Sequence, residues 1–335
     1  MAMSPLVSVV IATYNGAGFL EACVESVMRS RYENFEVIVV DNASTDGSAE
    51  LMQKRFGGDT RLVIIRNPVN LLFTGGYNTG LRQARGELIV ALNNDTEVDS
   101  EWLSEIEKAM RDESIGAAQP KVLVWGKKPP VIDYAGAGVD RFGFCVGYGA
   151  GEEDSGSPGN VEDIFYAGGT AMVLRKKALD TVGLFEERFG MHWEDVDLSW
   201  RMHLAGYRVV VIPRAMIYHK GSLSMKKFSE KSTVIWYVRK NRLAGLIKNY
   251  SFFHVITIVP CLVALYAGVA LKESIVNRNA AYILNTLRAV WWNIRQLPYF
   301  IRQRAAVQKT RKVSDRIIMR LMCAKPVFMM SPGSI

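Results

Sequence analysis

Residues 35–48, FEVIVVDNASTDGS, decide the fold. Phe35–Val40 is an apolar, β-branched run of strand length that stops at the polar turn DNASTDG. Such a run marks a strand covered on both faces, and Ser44 or Thr45 is placed to cap a following helix. Upstream, Leu6–Ala12 reads as a buried strand ending at Thr13-Tyr14-Asn15-Gly16, after which Phe19, Leu20, Cys23, Val24 and Val27 recur at helical spacing. Downstream, Leu62–Arg66 leads to Asn67-Pro68 and the loop 70–76, and Leu88–Leu92 ends at Asn93-Asn94-Asp95. Strands alternating with helices predict an α/β fold, a doubly wound and mostly parallel sheet with helices on both faces. Ligands of such sheets bind beyond the carboxyl ends of the strands. Three of those ends carry Asn, Asp and Thr, so they are expected to line one crevice.

The rest of the chain reads as globular with an unusual tail. Of 335 residues, 49% are hydrophobic and 22% charged, which excludes a mainly disordered chain. Cys23, Cys145, Cys261 and Cys323 show neither CxxC nor Cys/His metal spacing, which favours a reducing compartment over a disulfide framework. The first residues lack the basic n-region of a secretory signal. Residues 126–162 are rich in glycine and polar groups and are expected to form a long mobile loop. Ala171–Leu174 and Arg208–Ile212 read as further strands and Glu194–Ala205 as a helix. Residues 220–335 carry 20 Lys+Arg against 3 Asp+Glu, whereas residues 1–219 carry 21 against 30. The chain thus divides into an acidic front, expected as a domain over 1–229, and a basic, apolar region over 230–335.

The chemistry of the front is read by elimination first. Gly16-Ala-Gly18 follows a strand but lacks the third glycine of a dinucleotide fingerprint, and no GxxxxGK[ST] is present. Carboxylates and amides at strand ends instead suit a nucleotide held without a P-loop. Asp41 would accept from a base or ribose, and Asn94-Asp95 would meet ribose and a divalent cation, since Mg²⁺ or Mn²⁺ needs few protein carboxylates when diphosphate oxygens share it. Turn and helix-cap roles serve Asp41, Asn42 and Asn93–Asp95 equally well when each is taken alone. In Trp193-Glu-Asp-Val-Asp-Leu-Ser-Trp-Arg201, Glu194, Asp197 and Arg201 share a helix face, so one acid is expected to hold the arginine. Asp195 points elsewhere and is available to accept a proton. His219 follows the next strand, where a lone histidine is more often structural than a ligand.

Taken in order, the strand–TYN opening, VDNASTDGS (40–48), Asn70 with GGYN (75–78), LNND (92–95), AGGT (167–170), Glu194-Asp195 and His219 resemble family 2 glycosyltransferases of the GT-A fold, particularly the rhamnosyltransferase-like branch. The resemblance covers about residues 5–225. It implies inverting transfer of a sugar, rhamnose among the candidates, from a nucleotide diphosphate sugar. Carried over by position, Thr13, Asn15, Asp41, Asn42, Asn70, Gly76, Asn78, Asn93 and Asn94 would bind the donor. Asp95 and His219 would hold a divalent metal, with Asn93 replacing the first Asp of the family's DXD motif. Asp195 would be the general base, and Gly168, Gly169 and Glu194 would border the acceptor. A nucleotidyltransferase or a non-catalytic nucleotide-sugar-binding protein on the same scaffold is the rival reading, although residues 13–18 contain no Lys or Arg to hold a triphosphate.

Phe252–Leu271 is free of Asp, Glu, Lys and Arg and long enough to cross a bilayer. In Ile283–Ile301, Leu284, Leu287, Trp291 and Ile294 share one helical face, while Arg288, Arg295 and Arg302 recur every seven residues. Basic amphipathic helices of this kind lie in the membrane interface. The tail is therefore expected to dock the enzyme on the cytoplasmic face of a membrane, where a lipid-linked glycan would serve as acceptor. A nucleic-acid partner is not expected, because an uncharged apolar run serves it poorly.

Overall fold

The computed structural model describes residues 4–156, 159–221, 231–325 and 327. The expected boundary at 229/230 lies outside them. The chain begins β1 (Val7–Thr13), α1 (Ala17–Met28), β2 (Phe35–Asp41), α2 (Ser48–Phe56), β3 (Leu62–Arg66), α3 (Leu72–Gln83) and β4 (Leu88–Leu92). Then come β5 (Thr96–Val98), α4 (Trp102–Met110), β6 (Ile115–Val124), β7 (Ile132–Tyr134), β8 (Ala137–Val139), β9 (Cys145–Gly147) and β10 (Glu162–Asp163). The last part holds β11 (Ala171–Arg175), α5 (Lys176–Val182), α6 (Glu194–Leu204), β12 (Arg208–His219), α7 (Lys231–Asn249), α8 (Phe252–Val276), α9 (Ala281–Thr310) and α10 (Asp315–Leu321).

The main sheet runs β10-β12-β6-β11-β4-β1-β2-β3, with β5 on β12 and β7 on β6. Every residue of β2 and β4 is buried, and all but one of β1, so the apolar runs are strands covered on both faces. β1 pairs in parallel with both β2 and β4. The chain order reverses there, and the carboxyl ends of all three strands open onto one crevice. The second half departs from the expected parallel pattern, because β11 is antiparallel to both β4 and β6, which makes the sheet mixed.

Three local expectations are corrected. Residues 126–162 are not one irregular loop: β7 joins the main sheet, and β8 and β9 form a ribbon that supplies Ala137, Val139 and Phe144 to a buried cluster. β12 does not stop at Pro213, since the register shifts between Ile212 and Met216 and pairing with β6 then resumes to His219. Neither Ser44 nor Thr45 caps α2. Ser44 Oγ accepts the Asn15 N–H (2.9 Å) and the Thr45 N–H reaches Asn15 Oδ1 (2.8 Å), while Asp46 takes the N–H groups of Ser48 (3.1 Å) and Ala17 (2.9 Å) at the starts of both flanking helices.

The basic C-terminal helices are built into the front. Lys240 on α7 is fully buried, and its ammonium donates to the carbonyls of Arg188 and Phe189, both at 3.0 Å. Gly245 on α7 lets that helix approach Trp193: a Cβ there would stand 1.8 Å from the indole. Gly245→Ala is therefore expected to displace Trp193 and cost about 1–3 kcal/mol, read as a lower melting temperature. An unchanged melting temperature would show that the indole has room to move.

Candidate functional site

A cavity of about 580 Å³ opens at the carboxyl ends of β1, β2 and β4. Thr13, Asn42, Asn70, Asn93, Asn94 and Asp95 line it from these strand ends and the loop before α3. They are joined to one another. Asn94 Nδ2 donates to Thr13 Oγ1 (2.8 Å), and the Tyr77 hydroxyl donates to Asn93 Oδ1 (3.0 Å). Asn42 is the hub of the floor. Its Nδ2 donates to Asn70 Oδ1 (2.9 Å) and the Leu72 carbonyl (3.0 Å), and its Oδ1 accepts from Asn67 Nδ2 and the Leu71 N–H, both at 3.0 Å.

β5 carries the chain from Asp95 back alongside the end of β12, pairing Thr96 with His219, and this brings the imidazole to the acid. His219 Nδ1 meets Asp133 Oδ2 at 2.6 Å, and Nε2 lies 3.5 Å from Asp95 Oδ1. Burial works against the imidazolium, but Asp133 and Asp95 outweigh it and raise His219 to about 9. Asp95 Oδ1 is buried with no hydrogen-bond partner. An orphaned carboxylate oxygen beside an imidazole that a second acid orients is the donor chemistry of a divalent site. Among the described residues no group of three or more His, Cys, Asp and Glu gathers to hold a metal. Asp95 and His219, once the imidazole gives up its proton, are the residues that could hold a cation here, with diphosphate oxygens and water completing its shell.

The opposite wall comes from the start of α6. His192 and Trp193 adopt left-handed φ values of 65° and 70°, costly conformations for residues with a Cβ. They turn the chain so that His192 and Glu194 line the cavity while Trp193 is buried behind it. Glu194 Oε2 and His192 Nε2 are both buried without a hydrogen-bond partner. Burial, and next the Asp195 charge, hold Glu194 well above the usual carboxylate range, and burial keeps His192 below the ordinary imidazole value. In both, burial works against the charged form at the cavity wall. Asp195 is outside the cavity lining but bonded to it, its carboxylate accepting the N–H groups of the lining residue Gly169 (3.1 Å) and of Val196 (2.8 Å). Burial pushes it up to about 6 against those two hydrogen bonds. Its far side is the Tyr134–Tyr166 pair, whose ring centroids are 6.3 Å apart. Burial, and then the Asp195 charge, raise Tyr134.

Other expected residues fall elsewhere. Asn78 is not a donor ligand: its amide donates to the Phe185 carbonyl (2.9 Å) and Glu187 (3.1 Å), and its Oδ1 accepts the Phe185 N–H (3.1 Å). Gly76 stands behind the floor, where a Cβ would press on Asn42 Nδ2 at 3.0 Å. Asn15 is committed to Ser44 and Thr45, as above. Asp41 ends β2 with Oδ1 on the Ser44 N–H (3.0 Å), next to the cavity but outside its lining. Gly168 lies under Tyr134, while Gly169 lines the cavity. Arg201 is held by Asp197 (3.0 Å) and not by Glu194. The sequence reading missed Asp133, His192, Phe73 and Tyr237, which approach only through tertiary packing. Only His192, two residues before Glu194, carried a local signal.

Residues 8–183 match the family profile described as Glycosyl transferase family 2. The uncharacterized protein y4gI of Sinorhizobium fredii is 31% identical over 237 residues, 66% of this chain and 25% of that protein. The O-antigen biosynthesis protein RfbC of Myxococcus xanthus is 28% identical over 233 residues, 67% of this chain and 18% of that protein. The chain thus spans a quarter or less of these two relatives. Among solved structures, GalNAc-T7 with UDP, GalNAc and Mn²⁺ superposes with a TM-score of 0.62 at 15% identity, covering 88% of this chain and 58% of that one. Neither relative is described as a rhamnosyltransferase.

Proposed function

Because the chain belongs to glycosyl transferase family 2 and has the GT-A fold, we propose that it transfers a sugar, with inversion, from a nucleotide diphosphate sugar to a hydroxyl of a lipid-linked glycan. The observation that carries this reading is one cavity with three chemistries on its walls. Amides stand at the strand ends, Asp95 and His219 at one side, and Glu194 with Gly169 at the other, with Asp195 hydrogen-bonded to Gly169 next to the lining. The UDP and Mn²⁺ held by GalNAc-T7 support a nucleotide and a divalent cation in the corresponding crevice. Rhamnose as the transferred sugar rests on the order of sequence motifs alone. A soluble donor and the basic tail favour the cytoplasmic face of a membrane.

In this mechanism Thr13 and Asn94 hold the nucleoside end in the crevice, on a floor that Asn42 braces. Asp195, fixed by two backbone N–H groups, takes the proton of the acceptor hydroxyl as its oxygen attacks the anomeric carbon from the face opposite the diphosphate. Glu194 and His192, whose charged forms burial disfavours, offer unpartnered hydrogen-bonding atoms at the wall. A divalent cation bound to Asp95 and His219 would offset the charge growing on the departing diphosphate.

The test is thermal unfolding with UDP, GDP and deoxythymidine diphosphate, each with and without Mn²⁺. One nucleotide is expected to raise the melting temperature only with Mn²⁺, by about 3 kcal/mol of stabilisation at a hundredfold excess over Kd. Asp95→Ala is expected to abolish that Mn²⁺-dependent rise. If no nucleotide shifts the wild-type transition, the donor site is misassigned.

A further inference from the structure

The apolar side of the C-terminal helices faces outward. On α9, Leu284, Leu287, Trp291, Ile294 and Ile301 form one exposed stripe, with Leu287 and Trp291 each 60% accessible. The side turned toward the protein is mixed, with Asn285, Thr286 and Asn293 buried beside the apolar Ala289, Phe300 and Val307. Asn293 Nδ2 donates to the Lys240 carbonyl (3.0 Å), and the Thr286 hydroxyl accepts from Arg239. An exposed apolar stripe is not what an ordinary surface helix presents, and the buried hydrogen bonds keep α9 from rolling that stripe inward. Arg288, Arg295 and Arg302, all exposed, each follow a stripe residue and flank the band with cations.

α8 packs on α9 and also leaves large apolar residues outside, although its inner side is apolar too. Phe253, Leu271 and Ile275 are exposed on it, while Ile258, Leu262, Tyr266 and Ala270 are buried. By length and composition α8 qualifies as a membrane span, but its attachments say otherwise. His254 near its start pairs with Asp315 (2.8 Å), Tyr266 at its middle lies under Arg239 (5.3 Å), and Glu273 near its end meets Arg239 (3.3 Å). These contacts fasten α8 lengthwise to the body. Standing it across a bilayer would drag buried ions into hydrocarbon, which is strongly unfavourable.

We propose that α8 and α9 form a membrane-insertion face that lays the protein flat on an anionic leaflet, with α8 parallel to the surface and not crossing it. Charge selects this occupant over a second copy of the chain, since a self-complementary contact would set the same arginines against one another. The face adjoins the cavity wall: the Arg288 guanidinium is 5.7 Å from the Trp236 ring, Trp236 meets Tyr237 at 4.7 Å, and Tyr237 lines the cavity. An acceptor held in the leaflet would approach from that side, and this clause alone rests on the transfer reading.

The experiment is flotation of the full chain with vesicles of phosphatidylcholine, alone or mixed with phosphatidylglycerol. The protein is expected to float with the anionic vesicles, and Leu287→Glu with Trp291→Glu to weaken partitioning roughly tenfold or more at an unchanged melting temperature. For depth, an environment-sensitive label is placed singly at Phe253→Cys, Ala264→Cys and Ile275→Cys in a Cys261→Ser background. Equal quenching of all three by a shallow nitroxide lipid is expected. Deep quenching at position 264 with shallow ends would overturn the in-plane arrangement. Failure to float with either vesicle, or a dimer dispersed by the same Glu variants, would overturn the membrane face. Because binding is read rather than transfer, an error in the proposed reaction leaves these outcomes intact.

Discussion

Asp195→Asn is expected to lower turnover by about 10²–10⁴-fold, the range lost with a positioned general base, while nucleotide diphosphate affinity stays at the wild-type value. The amide nearly matches the carboxylate in shape and keeps one oxygen for the Gly169 N–H, but it has no lone pair basic enough to take a hydroxyl proton. Donor affinity is spared because, among the described residues, the Asp195 carboxylate bonds only the Gly169 and Val196 N–H groups and none of the strand-end amides or Asp95. The pH profile gives an independent readout. With Asp195 pushed up to about 6 by burial, the wild-type rate falls as pH drops below about 6, because the protonated acid cannot accept a second proton. Above that value the carboxylate is ionised and the rate levels off. The Asn variant should lose this acid limb along with its activity. A variant that turns over at the wild-type rate would remove Asp195 from the mechanism.

The largest effect on stability is expected from Asp197→Ala. Asp197 is fully buried and receives Arg201 Nε (3.0 Å), Lys248 Nζ (2.8 Å) and Asn249 Nδ2 (3.0 Å), with Glu186 3.5 Å from the same ammonium. Removing one partner of a buried ion cluster leaves the others uncompensated, at a cost of about 3–5 kcal/mol, or on the order of 10 °C in melting temperature. Burial alone would raise the Asp197 carboxyl, but Lys248 and Arg201 outweigh it and hold it below the ordinary range. A depressed folded-state value contributes stability above the unfolded value near 4, and that contribution is lost as pH falls through the folded-state value. The gap between wild type and variant should accordingly close in acid. Replacing both Asp197 and Lys248 by apolar residues should cost less than Asp197→Ala alone. A single variant within about 1 kcal/mol of wild type would mean that the cluster contributes nothing net.

What could be read from the sequence was whatever the chain writes locally. The apolar runs of β1, β2 and β4 and their polar ends sit in consecutive residues, so the strand-end amides of the crevice were legible. Asp133 was not, because it reaches His219 only after β7 joins β6 and the end of β12 returns beside β5. Asn78 misled for the opposite reason: its position in a motif says nothing about the backbone of Phe185, 107 residues away, which takes its side chain. Similarly, Leu284 and Trp291 showed their shared face by spacing, but spacing could not tell that Asn285, Thr286 and Asn293 occupy the inner side.

The fully engaged Asn42 amide has a kinetic corollary. A pocket floor assembled before any nucleotide arrives leaves little loop entropy to be lost on association. Stopped-flow capture should then be a single phase whose rate rises in proportion to nucleotide concentration. Asn42→Ala frees the segment around residues 67–72 and should introduce a slower, concentration-independent phase.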